Sequence, residues 1–146
     1  MFRFEPVASR KPLSGQLVWF LFWLGVTVVG FYLTPSPAGH GTHTQLGLAP
    51  CASASMLGRP CPGCGLTTSF TATVHGQFLT AFRANAFGPF LYALFTISAL
   101  VCGVTYARKI RFVTDTKGFN WALGILVASF LLYGGLRFLL VTDYGP

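Results

Sequence analysis

Three long apolar stretches, separated by polar and glycine-punctuated segments, set the pattern of the chain. The first runs from Leu13 to Leu33 and holds Trp19, Phe20, Phe22, Trp23 and Phe31; no Asp, Glu, Lys or Arg stands between Lys11 and Arg59. At helical rise it is ~30 Å long, the thickness of a bilayer's hydrocarbon core, which predicts a transmembrane helix over 13–33. A signal peptide cut near Ser36-Pro37-Ala38 is the competing reading, but the apolar run is long and aromatic-rich for one. The second span is predicted over 86–107, in the uncharged interval between Arg83 and Arg108. Pro89 falls in its first turn, where a missing N–H costs least. The third is predicted over 119–141. Its one charge, Arg137, is near the end and is expected to snorkel to the interface, with an arginine facing the bundle as the other reading. Ala99 with Gly103, and Gly124 with Ala128, have the small-xxx-small spacing that permits close helix packing.

Between spans one and two the period is lost. Pro35, Pro37, Gly39 and Gly41 mark a loop that carries His40 and His43. From 45 to 85 no period-two alternation is visible, which predicts short helices and turns rather than sheet. Thr67 or Thr68 is placed to cap a helix reaching about Val74 and ending at Gly76, and a second short helix is predicted from Phe78 to Ala84. The Thr-rich run 67–73 has poor helix propensity, so packing must hold it. The fold class expected is an all-α integral membrane protein. One domain, 1–146, would hold three transmembrane helices and a cysteine-bearing, short-helix loop between the first two.

Composition strengthens this picture. Hydrophobic residues make up 53% and charged residues 9% of the 146, against roughly a quarter charged in a soluble domain. The net charge of +7 does not imply nucleic acid, because the cations flank the apolar runs instead of forming one patch. Arg3, Arg10 and Lys11 precede the first span, and Arg108, Lys109, Arg111 and Lys117 join the second to the third. Only Arg59 and Arg83 lie in the long loop. The positive-inside rule then predicts a cytoplasmic N-terminus and an extracytoplasmic cysteine loop. The partners expected are the lipid bilayer and a membrane protein.

Chemistry concentrates in Cys61-Pro62-Gly63-Cys64-Gly65-Leu66-Thr67-Thr68, with Cys51 upstream. Cys102, mid-span, reads as a small apolar group. Three readings of the loop cysteines stay open. Cys-Pro-x-Cys-Gly is a metal knuckle, in which a tight turn aims both thiolates at one ion; a four-ligand zinc site would add Cys51 and a histidine, His75 before His40 or His43. A CxxC at a helix start in an outward loop also suits thiol–disulfide exchange. A structural bridge from Cys51 to Cys61 or Cys64 is the third, since it would close a long loop. Glu5, Asp115 and Asp143 form no acid–base pair, and the hydroxyl residues lack a base with its orienting partner, so no catalytic residues are assigned. His75, Gly76 and Asn85 also read as a small polar cluster.

The ordered set Cys51, Gly58-Arg59-Pro60-Cys61-Pro62-Gly63-Cys64-Gly65-Leu66-Thr67-Thr68-Ser69, His75-Gly76-Gln77 and Ala81-Phe82-Arg83-Ala84-Asn85 resembles a bacterial membrane family catalogued as domain of unknown function 2752. Its members show an upstream cysteine, a C-P-x-C-G-[LM]-T-R core, an H-G-D-like turn and an A-x-x-x-N-P-like lead into a membrane helix. Here Thr68 stands where arginine is usual, Gln77 where acidic residues are common, and proline follows Asn85 only at Pro89. The resemblance implies a small bacterial inner-membrane protein and no assigned activity. The functional expectation is an accessory or assembly component whose cysteine loop is locked by metal or disulfide. The alternative is a membrane thiol–disulfide oxidoreductase or metal-handling protein using Cys61 and Cys64.

Overall fold

Each apolar run folds as one long helix, and the loop between the first two folds as a cap of short ones. The computed structural model describes residues 3–6, 13–113, 117–142 and 144; Arg10, Lys11, Asp115 and Asp143 lie outside them. In chain order the elements are β1 (Arg3–Pro6), α1 (Ser14–Tyr32), a 3-10 turn (Thr42–Leu46), α2 (Ala52–Leu57), α3 (Leu66–Val74), α4 (Phe78–Ala84), α5 (Gly88–Ala107), β2 (Ile110–Val113) and α6 (Lys117–Leu140). Helices α1, α5 and α6 are long and apolar enough to cross a membrane. Their ends fall within two residues of the spans expected from the pattern. Pro89 sits in the first turn of α5, as its missing N–H requires.

Helices α1 and α5 run antiparallel and are joined by a ladder of side-chain hydrogen bonds. Gln16 Nε2 donates to Thr105 Oγ1 at 3.1 Å, Trp19 Nε1 to Ser98 Oγ at 3.0 Å and Trp23 Nε1 to Thr96 Oγ1 at 3.0 Å. Thr27 and Tyr92 pair their hydroxyls at 3.0 Å. The α1 members recur at helical spacing on one face, so one stripe does the joining. In hydrocarbon each such bond contributes ~0.6 kcal/mol on average. Trp23 also packs against Phe70, Tyr92 and Phe95, which seats α3 on the two helices. Gly103 leaves room for the Phe20 ring, which a Cβ there would meet at 2.9 Å. On α6 the expected small pair plays no such part: nothing lies within 4 Å of a Cβ on Gly124, and Ala128 is exposed. The close approach on α6 is at Gly134, against the Pro62 ring of the cap.

At the opposite end from the cap, β1 and β2 form an antiparallel pair with Arg3 facing Val113 and Pro6 facing Ile110. The sequence reading had no strand here. Four residues each are too few to display a period, and the pairing is between segments over a hundred residues apart.

The cap itself is built on α3. Its start is not capped by Thr67 or Thr68 as expected; Gly65, at φ 79°, holds the N-cap position with no side-chain bond. Thr68 is buried and shares a 2.8 Å hydrogen bond with Thr42 of the 3-10 turn instead. Thr68, Ser69, Thr71 and Ala72 are all buried. Their small volume lets α3 lie close to its neighbours, which supplies the stability that their propensity lacks. Thr73 Oγ1 donates back to the Ser69 carbonyl at 2.7 Å, satisfying itself along the helix.

Candidate functional site

The loop cysteines reach one point from two directions. Cys51 occupies the N-cap position of α2, where its carbonyl accepts from the Ser55 N–H at 3.0 Å and the Ser55 hydroxyl at 3.1 Å. Cys61 to Cys64 make the tight turn that their Pro-Gly interior favours: Cys64 N–H donates to the Cys61 carbonyl and Leu66 N–H to the Gly63 carbonyl, both at 3.0 Å. Within that turn the Cys61 N–H points at Cys64 Sγ, 3.2 Å away. The three sulfurs form a near-equilateral triangle, with 3.5 Å from Cys51 to Cys61, 3.2 Å from Cys61 to Cys64 and 3.1 Å from Cys64 to Cys51. None of them is in a disulfide. Cys102 lies away in α5.

Gly65 makes the turn possible. Its φ is in the left-handed region, and a Cβ would overlap the Ala84 carbonyl oxygen and stand 2.8 Å from the Gly39 carbonyl oxygen. Three segments of chain therefore meet at one atom's width beside Cys64. Asn85, fully buried, binds the same turn: its Nδ2 donates to the Cys64 carbonyl at 3.2 Å and the Pro62 carbonyl at 3.4 Å, while its Oδ1 accepts from Phe87 N–H at 3.0 Å. One amide thus links the cysteine turn to the start of α5. Ser69 adds a 3.3 Å bond to the Asn85 carbonyl, and its side chain fills the space that a Cβ on Gly88 would need.

Arg137 behaves differently from the expectation. Instead of extending to the interface it turns inward, donating to the Cys64 carbonyl at 3.0 Å and to the Tyr144 hydroxyl at 3.4 Å. It lies over the Tyr133 and Tyr144 rings. A carbonyl already committed to the sulfur turn gives the guanidinium a fixed acceptor, and the aromatic rings cover its faces. Arg59 clamps from the other side, donating to the Phe138 carbonyl at 3.1 Å. The chain after α6 then folds back, with Tyr144 N–H on the Gly58 carbonyl at 2.9 Å.

The sulfurs face a cavity of about 750 Å³, which His40, His43, Ser55, Thr67 and Tyr144 also line. His75 is not part of it. It stands at the far end of α3, with Nε2 3.1 Å from the Leu33 carbonyl. The α3 helix intervenes between Cys64 and His75 and carries the histidine away from the sulfurs. Gly76 ends that helix at φ 73°, as expected of a terminating glycine.

The thiols share their protons unequally. Burial raises the Cys51 thiol, but hydrogen bonds from Ser53, Cys64, the Ala54 N–H and Cys61 outweigh it and bring it down to about 6. Cys64 is pushed up to about 12, first by burial and then by its bonds to Cys51 and Cys61. The trio thus releases a first proton easily at Cys51 and holds the others around the thiolate so formed. A cation placed among the sulfurs would replace those shared protons.

Arg59, Arg137, Tyr144 and Thr42 were missed as members of the site by the sequence reading. Arg137 carried a usable signal, as the one charge within a predicted span; Thr42 and Tyr144 carried none.

Residues 51–99 match the model of the family described as "Protein of unknown function (DUF2752)". That range holds the three loop cysteines, α2 to α4, Asn85 and α5 as far as Ala99. No curated protein and no solved structure matches the chain.

Proposed function

We propose that this chain, a DUF2752 protein by its residues 51–99, is a bacterial inner-membrane accessory or assembly component whose cap is locked by a soft metal ion. The ion would be held by Cys51, Cys61 and Cys64, with zinc the first candidate. The observation that carries the reading is the triangle of three unbridged sulfurs, each within 3.5 Å of both others. A disulfide needs two sulfurs and leaves the third without a role, whereas a thiophilic cation uses all three. Around a tetrahedral zinc, with bonds of ~2.3 Å, the sulfurs stand roughly 3.8 Å apart, so the triangle has to open by about half an ångström to admit the ion. The Arg137 guanidinium on the Cys64 carbonyl offsets the negative charge that three thiolates bring. Asn85, Gly65 and Gly134 hold the turn rigid. In this reading the domain 1–146 works as one unit: the bundle anchors the cap, and the ion fixes the surface that the cap offers to a membrane partner.

The loading of Lys and Arg supports a cytoplasmic N-terminus and an extracytoplasmic cap. A membrane-impermeant thiol reagent should therefore label metal-free Cys61 in cells with an intact inner membrane. Labelling only after that membrane is broken would reverse the topology. For the metal itself, protein purified in detergent without added metal should carry about one zinc equivalent; less than ~0.1 would sink the reading.

A lowered Cys51 thiol with sulfurs 3.1 Å and 3.5 Å away at Cys64 and Cys61 favours a second reading, thiol–disulfide exchange. Its mark would be a disulfide among the three, seen by mass after alkylation, and loss of exchange in C61S.

A further inference from the structure

A three-thiolate site leaves a coordination position for a fourth donor, and the cavity in front of the sulfurs contains a candidate. We propose that His40 is the fourth protein ligand, making a Cys51–Cys61–Cys64–His40 centre; this rests on the metal reading above and deepens it. Four observations converge on it.

The first is location. His40 and His43 line the cavity that the sulfurs face, and His75 does not. The second is what the rings already touch. His43 Nε2 is 3.1 Å from the Ala49 carbonyl, which leaves Nδ1 as its one free nitrogen, and His75, outside the cavity, has Nε2 3.1 Å from the Leu33 carbonyl. The His40 ring makes a tilted contact with the Tyr144 ring, centroids 4.6 Å apart, and among the described residues neither of its nitrogens has a hydrogen-bond partner. An imidazole must present a nitrogen lone pair to a metal, and no hydrogen bond within the described residues ties either His40 nitrogen down.

Third, the backbone next to His40 is fastened to the cysteine turn. A Cβ on Gly65 would come within 2.8 Å of the Gly39 carbonyl oxygen, and one on Gly39 would lie 3.7 Å from the Ala84 Cα. The residue before His40 is therefore in contact with the residue after Cys64. Fourth, the segment's course is set by glycine on both sides: Gly39 at φ 77° and Gly41 at φ 81° adopt conformations that side chains rarely allow. The Gly39 N–H closes a turn on the Ser36 carbonyl at 3.0 Å and the Gly41 carbonyl accepts from Thr44 N–H at 2.9 Å. A histidine presented from two such turns is held by the backbone, as a ligand needs to be.

The ring has to leave its contact with Tyr144 to reach the ion. Tyr144 itself stays tied by its backbone to Gly58 and by its hydroxyl to Arg137, so the exchange is confined to the histidine side chain. The centre that results has three sulfurs and one nitrogen, closed to exchange by its full ligand set, which suits a locking role.

The test uses the full chain in detergent, stripped of metal and titrated with Co(II) and then Zn(II). The wild type, H40A, H43A and H75Q are compared by the cobalt spectrum and by zinc-edge X-ray absorption. Expected for the wild type is a tetrahedral cobalt spectrum with three sulfurs and one nitrogen. H40A should bind at least ~10-fold more weakly, with its fourth donor changed to oxygen, while H43A and H75Q match the wild type. If wild type binds through three sulfurs and H40A has the same spectrum and affinity, or if H43A is the variant that shifts, the assignment of His40 is wrong while the metal reading stands. If the wild type binds neither ion, both fall.

Discussion

Replacing Asn85 by alanine probes the joint between the cysteine turn and the membrane helices. The side chain is fully buried and makes all three of its bonds to backbone: two from Nδ2 to the Cys64 and Pro62 carbonyls and one accepted by Oδ1 from Phe87 N–H. In N85A the Cys64 carbonyl keeps its bond from Arg137, but the Phe87 N–H loses its acceptor. The orphaned donor costs ~1–3 kcal/mol and the lost 3.2 Å bond about 1 kcal/mol more, the 3.4 Å one being weak. The sum is a destabilisation of ~2–4 kcal/mol, or a fall in Tm of roughly 6–12 °C for about 3 kcal/mol in a chain of this length. Two assays read it: thermal unfolding in detergent by tryptophan fluorescence, and alkylation of metal-free Cys64, which is only 6% exposed in the folded state. If alkylation needs local opening, N85A should speed it by ~30-fold or more. N85D discriminates further. A carboxylate still accepts from Phe87 N–H but faces two carbonyl oxygens without a donor, so N85D should be no more stable than N85A. N85A within ~0.5 kcal/mol of wild type, or N85D clearly above N85A, would refute the account of Asn85 as the link.

Other expectations follow from the same geometry. R137A should lose ~1–3 kcal/mol and release Tyr144, with R137K recovering only part because one ammonium cannot reproduce the fork to Cys64 and Tyr144; unfolding in detergent measures both. G65A should fail to give monodisperse protein on gel filtration, since both its positive φ and the Ala84 carbonyl forbid a Cβ, whereas G124A, with nothing within 4 Å, should behave as wild type. For the reduced, metal-free protein, the sign of the pH dependence is set by Cys51: the thiolate is the nucleophile, and with its pKa lowered to about 6, alkylation at Cys51 should rise with pH through that value and level off near neutrality. C64A removes one of the bonds that lower it, so the inflection should move to higher pH; an inflection near the ordinary thiol range in wild type would contradict the sharing of protons among the three sulfurs.

Much of the fold was legible because membrane helices announce themselves by length and composition, and the ends of α1, α5 and α6 needed no tertiary information. Helix α4 was readable from Phe78 to Ala84 because Gly76 and Asn85 bound it. The convergence of Cys51 with Cys61 and Cys64 was only an open possibility in sequence, since the nine residues between Cys51 and Cys61, which contain α2, could have led anywhere. His75 lies outside the cavity that the sulfurs line, because spacing along the chain says nothing about the direction of α3. Arg137 was read as snorkelling because its acceptor, the Cys64 carbonyl, is more than seventy residues away. The β1–β2 pair was invisible for the same reason, one partner preceding the first span and the other lying between the second and the third.

The central claim, that three thiolates hold one cation, is tested most directly by metal content across single cysteine variants purified in the same detergent. Wild type and C102S should each carry about one zinc equivalent, and C51S, C61S and C64S should each fall well below it. Wild type below ~0.1 equivalent, or a C51S protein that retains its full complement, would contradict the claim.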